Sequence, residues 1–277
     1  MLWLKIIRPQ TLFASACPVV VGLAVAGVSN WLVAIVTLLC ALDLQIFSNL
    51  VNDYYDFVRG ADKAGRVGFS RALAEGLVSK ERMLRACIIA LALSVLMGAY
   101  LLWVGGWPIL IIGVTAILFA WLYTATNHSL SYLGIADIFV FLYYGVIATA
   151  GTAYLQVDSF LRQAFYAGAV CGLISMCVLI TNNLRDIEDD RAVGKKTFPV
   201  RFGKRAGEIG YCCVVALMPL FAYLAFGKLL PMLIVVPAIF LTVKVLKSEG
   251  KQYNKCLLGA GLLNLCFTIL VLININL

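Results

Sequence analysis

From residue 12 to residue 275 the chain is a succession of apolar runs, separated by short polar connections. Most of the runs approach or exceed the roughly 20 residues a helix needs to cross bilayer hydrocarbon. Irregular backbone in such a chain must lie outside the lipid or be buried in protein. Spans are expected at 12–29, 31–56, 83–104, 107–125, 133–154, 163–185, 207–226, 229–247 and 255–275. Pro9 suits a helix entrance, Asn30-Trp31 an interface, and Gly105-Gly106-Trp107-Pro108 a tight turn. With 62% hydrophobic and 13% charged residues, a soluble domain is excluded. The expected fold is all-α: a polytopic transmembrane bundle of about nine helices, forming one domain over residues 1–277. No cleavable signal peptide is expected, because the first apolar run leads straight into a second.

Charge placement gives the orientation. With the N-terminus in the cytoplasm, all but two of the 22 Lys and Arg fall on the cytoplasmic side, the exceptions being Arg162 and Lys228. The same rule accounts for the net charge of +8. No basic domain exists for nucleic acid, and no nucleic-acid partner is expected. The nine cysteines are scattered without a C-x-x-C pair and read as small buried hydrophobes. His128 is the sole histidine, so His-based metal sites and Ser–His triads are excluded.

Two polar clusters interrupt this pattern. In QIFSNLVNDYYDFVRGAD, residues 45–62, helical spacing puts Gln45, Asn49, Asn52 and Asp56 within an arc of roughly 60°, with Asp53 just outside. In TNNLRDIEDDRAVGKKT the same spacing aligns Asn182, Asp186 and Asp189, with Asp190 at the edge and Glu188 turned away. Carboxylates this close repel unless a cation sits among them. Oxygen ligands without Cys or His suit a hard cation, Mg²⁺ before Ca²⁺, and Mg²⁺ takes one or two carboxylates plus substrate phosphate. Each cluster leads into a basic loop. The first, 57–82, holds Arg59, Lys63 and Arg66 and reads as a lid or phosphate clamp; the second holds Lys196 and Arg201. Helices two and six lie four apart and end alike, which suggests two repeated four-helix halves plus one helix, with the active site between the halves.

NDYYDFVRGAD and NNLRDIEDDRAVGKKT resemble the two Asp-rich motifs of the UbiA superfamily of intramembrane aromatic prenyltransferases. Its first motif is usually N-D-x-x-D-x-x-x-D; Asn52, Asp53 and Asp56 match, Gly60 stands where the next Asp is expected, and Asp62 comes two residues late. With IIRPQT near the start and RDIEDDRAVGKKTFPVRFG later, that departure resembles the menaquinone-biosynthesis branch, from about residue 5 to 205. The resemblance implies Mg²⁺, a polyprenyl diphosphate donor and an aromatic acid acceptor, 1,4-dihydroxy-2-naphthoate, prenylated with loss of diphosphate and CO₂ in the cell's inner membrane. It implies catalytic roles for Asn52, Asp53, Asp56, Asp186 and Asp190, and metal ligands among Asn52, Asp56, Asp62, Asp186, Asp189 and Asp190. Asn49, Arg59, Lys63, Arg66, Asp137, Asn182, Lys196 and Arg201 are candidates to hold substrate.

Asp137, near the membrane boundary of the fifth span, is expected to orient the acceptor or to pair with a basic residue. Tyr123, Tyr143 and Tyr144 are candidates for the cavity wall or for aromatic packing. Asp43 lies about 160° from Gln45 on the wheel and is expected outside the metal site. Another acceptor, such as 4-hydroxybenzoate, fits the same superfamily. A secondary transporter of an anionic substrate or a non-catalytic scaffold is a reading from another class. Transporters place binding groups near the midplane, whereas these clusters stand at helix ends.

Overall fold

Apolar side chains all round a helix leave it nothing to face but other helices or lipid, and this chain divides its helices between the two. The computed structural model describes residues 2–60, 72–123 and 130–277. After a short α1 (Leu2–Ile7), α2 (Pro9–Ala26) starts at its proline and stops before Gly27. The carboxamide of Asn30 caps α3 (Trp31–Val58), accepting from the Val33 N–H at 3.1 Å.

Next comes α4 (Lys80–Leu122), whose 43 residues would span about 65 Å, roughly twice the hydrocarbon thickness. It is broken at Gly106, with φ 65° and ψ −156°. The expected tight turn is thus a single non-helical residue, and the two halves make two spans. Leu101 before the break and Ile109 after it are buried in one cluster with Val33 and Cys40 of α3.

The fifth span is less regular than its apolar run suggests. A four-residue α5 (Leu130–Leu133) precedes α6 (Ala136–Phe141), which passes through a π-helical turn, Leu142–Val146, into α7 (Ile147–Val157). Then follow α8 (Arg162–Arg185), the short α9 (Ile187–Ala192) and α10 (Phe198–Phe202), and α11 (Lys204–Phe226). The last two spans are α12 (Leu229–Met232) with α13 (Val235–Leu246), and α14 (Tyr253–Asn276). Eight helical segments are long and apolar enough to cross a membrane, and the break in α4 makes them nine crossings among the described residues. No strand occurs among those residues.

The central post is α8, buried along nearly its whole length against α2, α11 and α14. The α3–α4 and α8–α11 packings are the most extensive and occupy equivalent places in the expected four-helix repeat. Trp31, Trp103 and Trp107, all at one end of the bundle, are strongly exposed, as residues of a membrane interface are. Six of the nine cysteines are buried and Cys213 is exposed.

The π turn brings Gly145 onto Gly168 and Gly172 of α8. A Cβ on Gly145 would lie 2.3 Å from the Gly172 backbone nitrogen and 2.4 Å from the Gly168 oxygen. Small residues four apart allow helices in lipid to approach backbone to backbone. Gly145→Leu is therefore expected to cost about 3 kcal/mol or more through overpacking. Gly113→Ala, where a Cβ meets nothing within 4 Å, is expected to leave stability unchanged or slightly raised. Thermal unfolding in detergent compares the two, and equal melting temperatures would contradict the packing account.

Candidate active site

The stripe on α3 serves two purposes. Its membrane-inward half fastens the N-terminal segment. Gln45 accepts from Ser15 Oγ at 3.2 Å and donates to Thr11 Oγ1 at 3.2 Å and Asn49 Oδ1 at 3.3 Å. Asn49 donates to the Ile7 carbonyl at 2.9 Å and to Thr11 Oγ1 at 3.0 Å. The side chain of Asn49, expected to touch substrate, is thus committed to the α1–α2 junction. Asp53, at the edge of the stripe, forms a buried ion pair with Arg8, which stands between α1 and α2 in a left-handed conformation. The pair ties Asp53 to the junction of α1 and α2. Asp56 is buried at 1% exposure, Asn52 is half-buried, and Arg59 caps the helix.

The second cluster is not one helical arc. Asp186 leaves the helix, with φ −101° and ψ 16°, so α8 ends and α9 starts in a new direction. The 100° spacing fails across that break. Asp190 turns inward and is 4% exposed, whereas Asp189 is exposed. The expected positions of these two are therefore exchanged. Arg185 holds Asp186 through two contacts, Nε to Oδ1 and Nη2 to Oδ2, both 2.7 Å. The same guanidinium donates to Asn182 at 2.6 Å and to Asn254 of α14 at 2.8 Å. Asn182 thus secures Arg185.

Tyr132 of α5 joins the two clusters. Arg59, from the first, lies 5.4 Å from its ring centroid; Lys195, from the second, lies 5.9 Å away. Lys195 also reaches Asp190 Oδ1 at 3.6 Å. The backbone N–H of Lys196 donates to the Tyr132 carbonyl at 3.2 Å. This docking requires glycine at 134, which has φ +74° and whose Cβ would fall 2.0 Å from the Lys196 carbonyl. Lys195, not the exposed Lys196, is the inward lysine; Arg201 is exposed and lies over Phe202. Lys63, Arg66, Asp62 and His128 lie outside the described residues, as do residues 61–71 of the expected clamp loop.

Tyr123, one residue past α4, reports that both motifs converge. Burial pushes its hydroxyl far above the ordinary tyrosine range, aided by Tyr144 and by the carboxylates of Asp137, Asp190 and Asp56. The hydroxyl remains a neutral donor among three acids. From Tyr123 an apolar cavity of about 400 Å³ runs into the membrane-spanning part, walled by α3, both halves of α4, and the α6–α7 span. Phe119, Tyr143 and Tyr144 line it near Tyr123; Leu101, Ile109 and Leu155 line the far end. The cavity stops short of the acids, so apolar and charged ligand parts would occupy adjacent chambers. Asp43 lies about 20 Å along α3 from Asp56, where its Oδ2 accepts from Ser94 at 2.6 Å. As expected, it is outside the acidic site.

Among the described residues no three acidic, His or Cys side chains form a metal cage. Two buried carboxylates from different helices, Asp56 and Asp190, suit an ion that draws its remaining oxygens from substrate phosphate and water.

A sequence model of the UbiA prenyltransferase family matches residues 15–269. The 1,4-dihydroxy-2-naphthoate octaprenyltransferase of Escherichia coli (strain K12) is 37% identical over 222 residues, covering 77% of this chain and 72% of the relative. The enzyme of that description from Mycobacterium tuberculosis (strain ATCC 25618 / H37Rv) is 34% identical over 204 residues, covering 73% and 70%. A solved UbiA homolog from Archaeoglobus fulgidus, bound to GPP and Mg²⁺, superposes with TM-score 0.73 at 18% identity over the whole of both chains. At that identity the likeness shows the fold.

Removing one partner of the buried Arg8–Asp53 pair leaves the other charge in a low-dielectric site. Arg8→Ala and Asp53→Ala are each expected to lower stability by on the order of 3 kcal/mol. The double variant should lose clearly less than the sum. Strict additivity in the thermal unfolding of the four proteins would show that the two side chains act independently.

Proposed function

This chain belongs to the UbiA prenyltransferase family, and we propose that it transfers a polyprenyl group from a polyprenyl diphosphate to 1,4-dihydroxy-2-naphthoate, with loss of diphosphate and CO₂. The observation that carries the reading is the meeting of the two motifs at Tyr132, with Arg59 5.4 Å and Lys195, the partner of Asp190, 5.9 Å from its ring centroid, beside an apolar cavity that reaches Leu130. The names of the bacterial relatives support the acceptor, and the Archaeoglobus homolog's GPP and Mg²⁺ support the donor and the ion.

Asp56 and Asp190 would hold Mg²⁺, with Asn52 and Asp186 as further candidates from the same two motifs, and the ion would neutralise charge developing on the departing diphosphate. Arg59 and Lys195 supply cationic donors where the two motifs meet, and hold the phosphate oxygens while the allylic C–O bond breaks. Arg59 Nη1 is buried without a hydrogen-bond partner among the described residues, a donor suited to such an oxygen. The prenyl tail occupies the apolar cavity. The faces of Phe119, Tyr143 and Tyr144 stabilise the allylic cation, and the apolar walls keep water from it. The Lys and Arg distribution supports an orientation with the acidic site toward the cytoplasm, in a protein of the inner membrane.

Three measurements test this. Asp56→Ala and Asp190→Ala should each lower kcat by on the order of 10²–10³ without loss of membrane insertion, while Asp189→Ala keeps most activity. Near-normal turnover in either of the first two would remove the two-motif site. A cysteine placed at position 194 should react with an impermeant maleimide only from the cytoplasmic face. Membranes given geranylgeranyl diphosphate, Mg²⁺ and a panel of aromatic acids should prenylate 1,4-dihydroxy-2-naphthoate and release its carboxyl label as CO₂. Retention of the label in the product would point to attack elsewhere on the ring, as in a hydroxybenzoate-type enzyme.

A further inference from the structure

Asp137, in the first turn of α6, takes no part in the donor chemistry described above. Apart from its own backbone N–H, its carboxylate has no hydrogen-bond donor among the described residues, and Oδ1 is shielded from solvent and unpartnered. Leaving a buried acceptor unmet costs about 1–3 kcal/mol, more when it is charged. Such a group calls for an explanation, and a ligand that brings the donor supplies one.

The location limits the kind of ligand. On the helix Asp137 lies one turn before Val140, and the π turn that follows carries Tyr143 and Tyr144; all three of these residues line the cavity. Asp137 therefore stands one turn beyond the cavity, at its junction with the acids, and its charge bears on the Tyr123 hydroxyl together with those of Asp56 and Asp190. A further anion there repels the phosphates of the donor. A ring hydroxyl is uncharged at the point of contact and supplies the missing donor. Just inside lies an aromatic wall: the Phe119 ring is 4.3 Å from Phe139 and 5.0 Å from Tyr143, centroid to centroid. A flat bicyclic ring can stack there with its hydroxyl toward Asp137.

Resting on the acceptor proposed above, we infer that Asp137 is the base on the acceptor side of the reaction. It accepts a hydrogen bond from the hydroxyl adjacent to the ring carbon that bears the carboxylate. That carbon forms the new C–C bond to the terminal carbon of the prenyl group, whose C–O bond breaks with its electron pair leaving on diphosphate. The adjacent hydroxyl becomes a ketone as its proton passes to Asp137. The ring carboxylate is now β to a ketone, and CO₂ departs, leaving its bonding pair to restore the aromatic ring as a naphtholate. Asp137 returns the proton to that oxygen. The carboxylate ends as it began, and no oxidant or further base is required.

The test uses the full-length protein in detergent, with geranylgeranyl diphosphate, Mg²⁺ and two acceptors: 1,4-dihydroxy-2-naphthoate, and 4-hydroxy-2-naphthoate, which lacks the adjacent hydroxyl. The wild type should strongly prefer the first. Asp137→Asn should lower kcat on it by about 10²–10⁴ and shrink the ratio of kcat/KM between the two acceptors at least about tenfold. Asp137→Glu should recover part of both. The KM for the donor and the Mg²⁺ concentration for half-maximal rate should stay within about twofold of wild type. The acceptor ratio is internal to each preparation, so a smaller folded fraction does not change it. An unchanged ratio overturns the inference, and so does a shift in Mg²⁺ or donor dependence while the acceptor parameters hold, which would make Asp137 part of the diphosphate site. Wild-type protein that ignores 1,4-dihydroxy-2-naphthoate but prenylates another ring overturns the acceptor reading and takes this inference with it.

Discussion

A carboxylate shut away from water must be neutralised or give up its charge, and this chain buries four at one end of a lipid-facing bundle: Asp53, Asp56, Asp186 and Asp190. Arg8 meets Asp53, Arg185 meets Asp186, and Lys195 meets Asp190. These pairings also dictate architecture. Arg8 ties the start of the chain to the end of α3, Arg185 ties α8 to α14 through Asn254, and Lys195 brings the second loop to Tyr132. Electrostatic neutralisation thus does the work that loop hydrogen bonds do in a soluble enzyme. Asp53 is met from outside its motif, by Arg8, whereas Asp186 and Asp190 are met from within theirs, by Arg185 and Lys195.

Much of this was legible in the sequence. The spans follow from hydropathy, and the two acidic clusters from their conflict with it. The α3 stripe could be read to its face, because α3 is a regular helix through Asp56. The second cluster could not, because Asp186 is non-helical and the angular rule assumes an unbroken helix; Asp189 and Asp190 consequently changed places. Asn49 and Asn182 have the composition of site residues, yet they hold Thr11 and Arg185. Spacing along one helix cannot reveal a partner on another. Choosing between Lys195 and Lys196 needs the docking of the loop on Gly134, which no local pattern encodes.

The division between an acidic chamber and an apolar one is itself a consequence of depth. Polar side chains of α3 are plentiful near its end and give way inward to Leu44, Ala41 and Cys40, all on the cavity wall. Tyr123 stands at that change, its hydroxyl among acids and its ring against apolar walls. A substrate with a charged head and an isoprenoid tail has the same change of polarity along its length.

The π turn at Leu142–Val146 has a geometric effect distinct from packing. One extra residue in a helical turn offsets the rotational phase of everything before it, by roughly 100°, relative to everything after. Asp137 and Val140 lie on one side of that offset, and Gly151 and Leu155 on the other. The span therefore behaves as two dials on one axle. Which side chains face the acidic end of the span is set separately from which face the far end of the cavity. A one-residue deletion within 142–146 would lock the dials together, and an enzyme with a regular helix here would have to choose its head-group and its tail contacts from a single register.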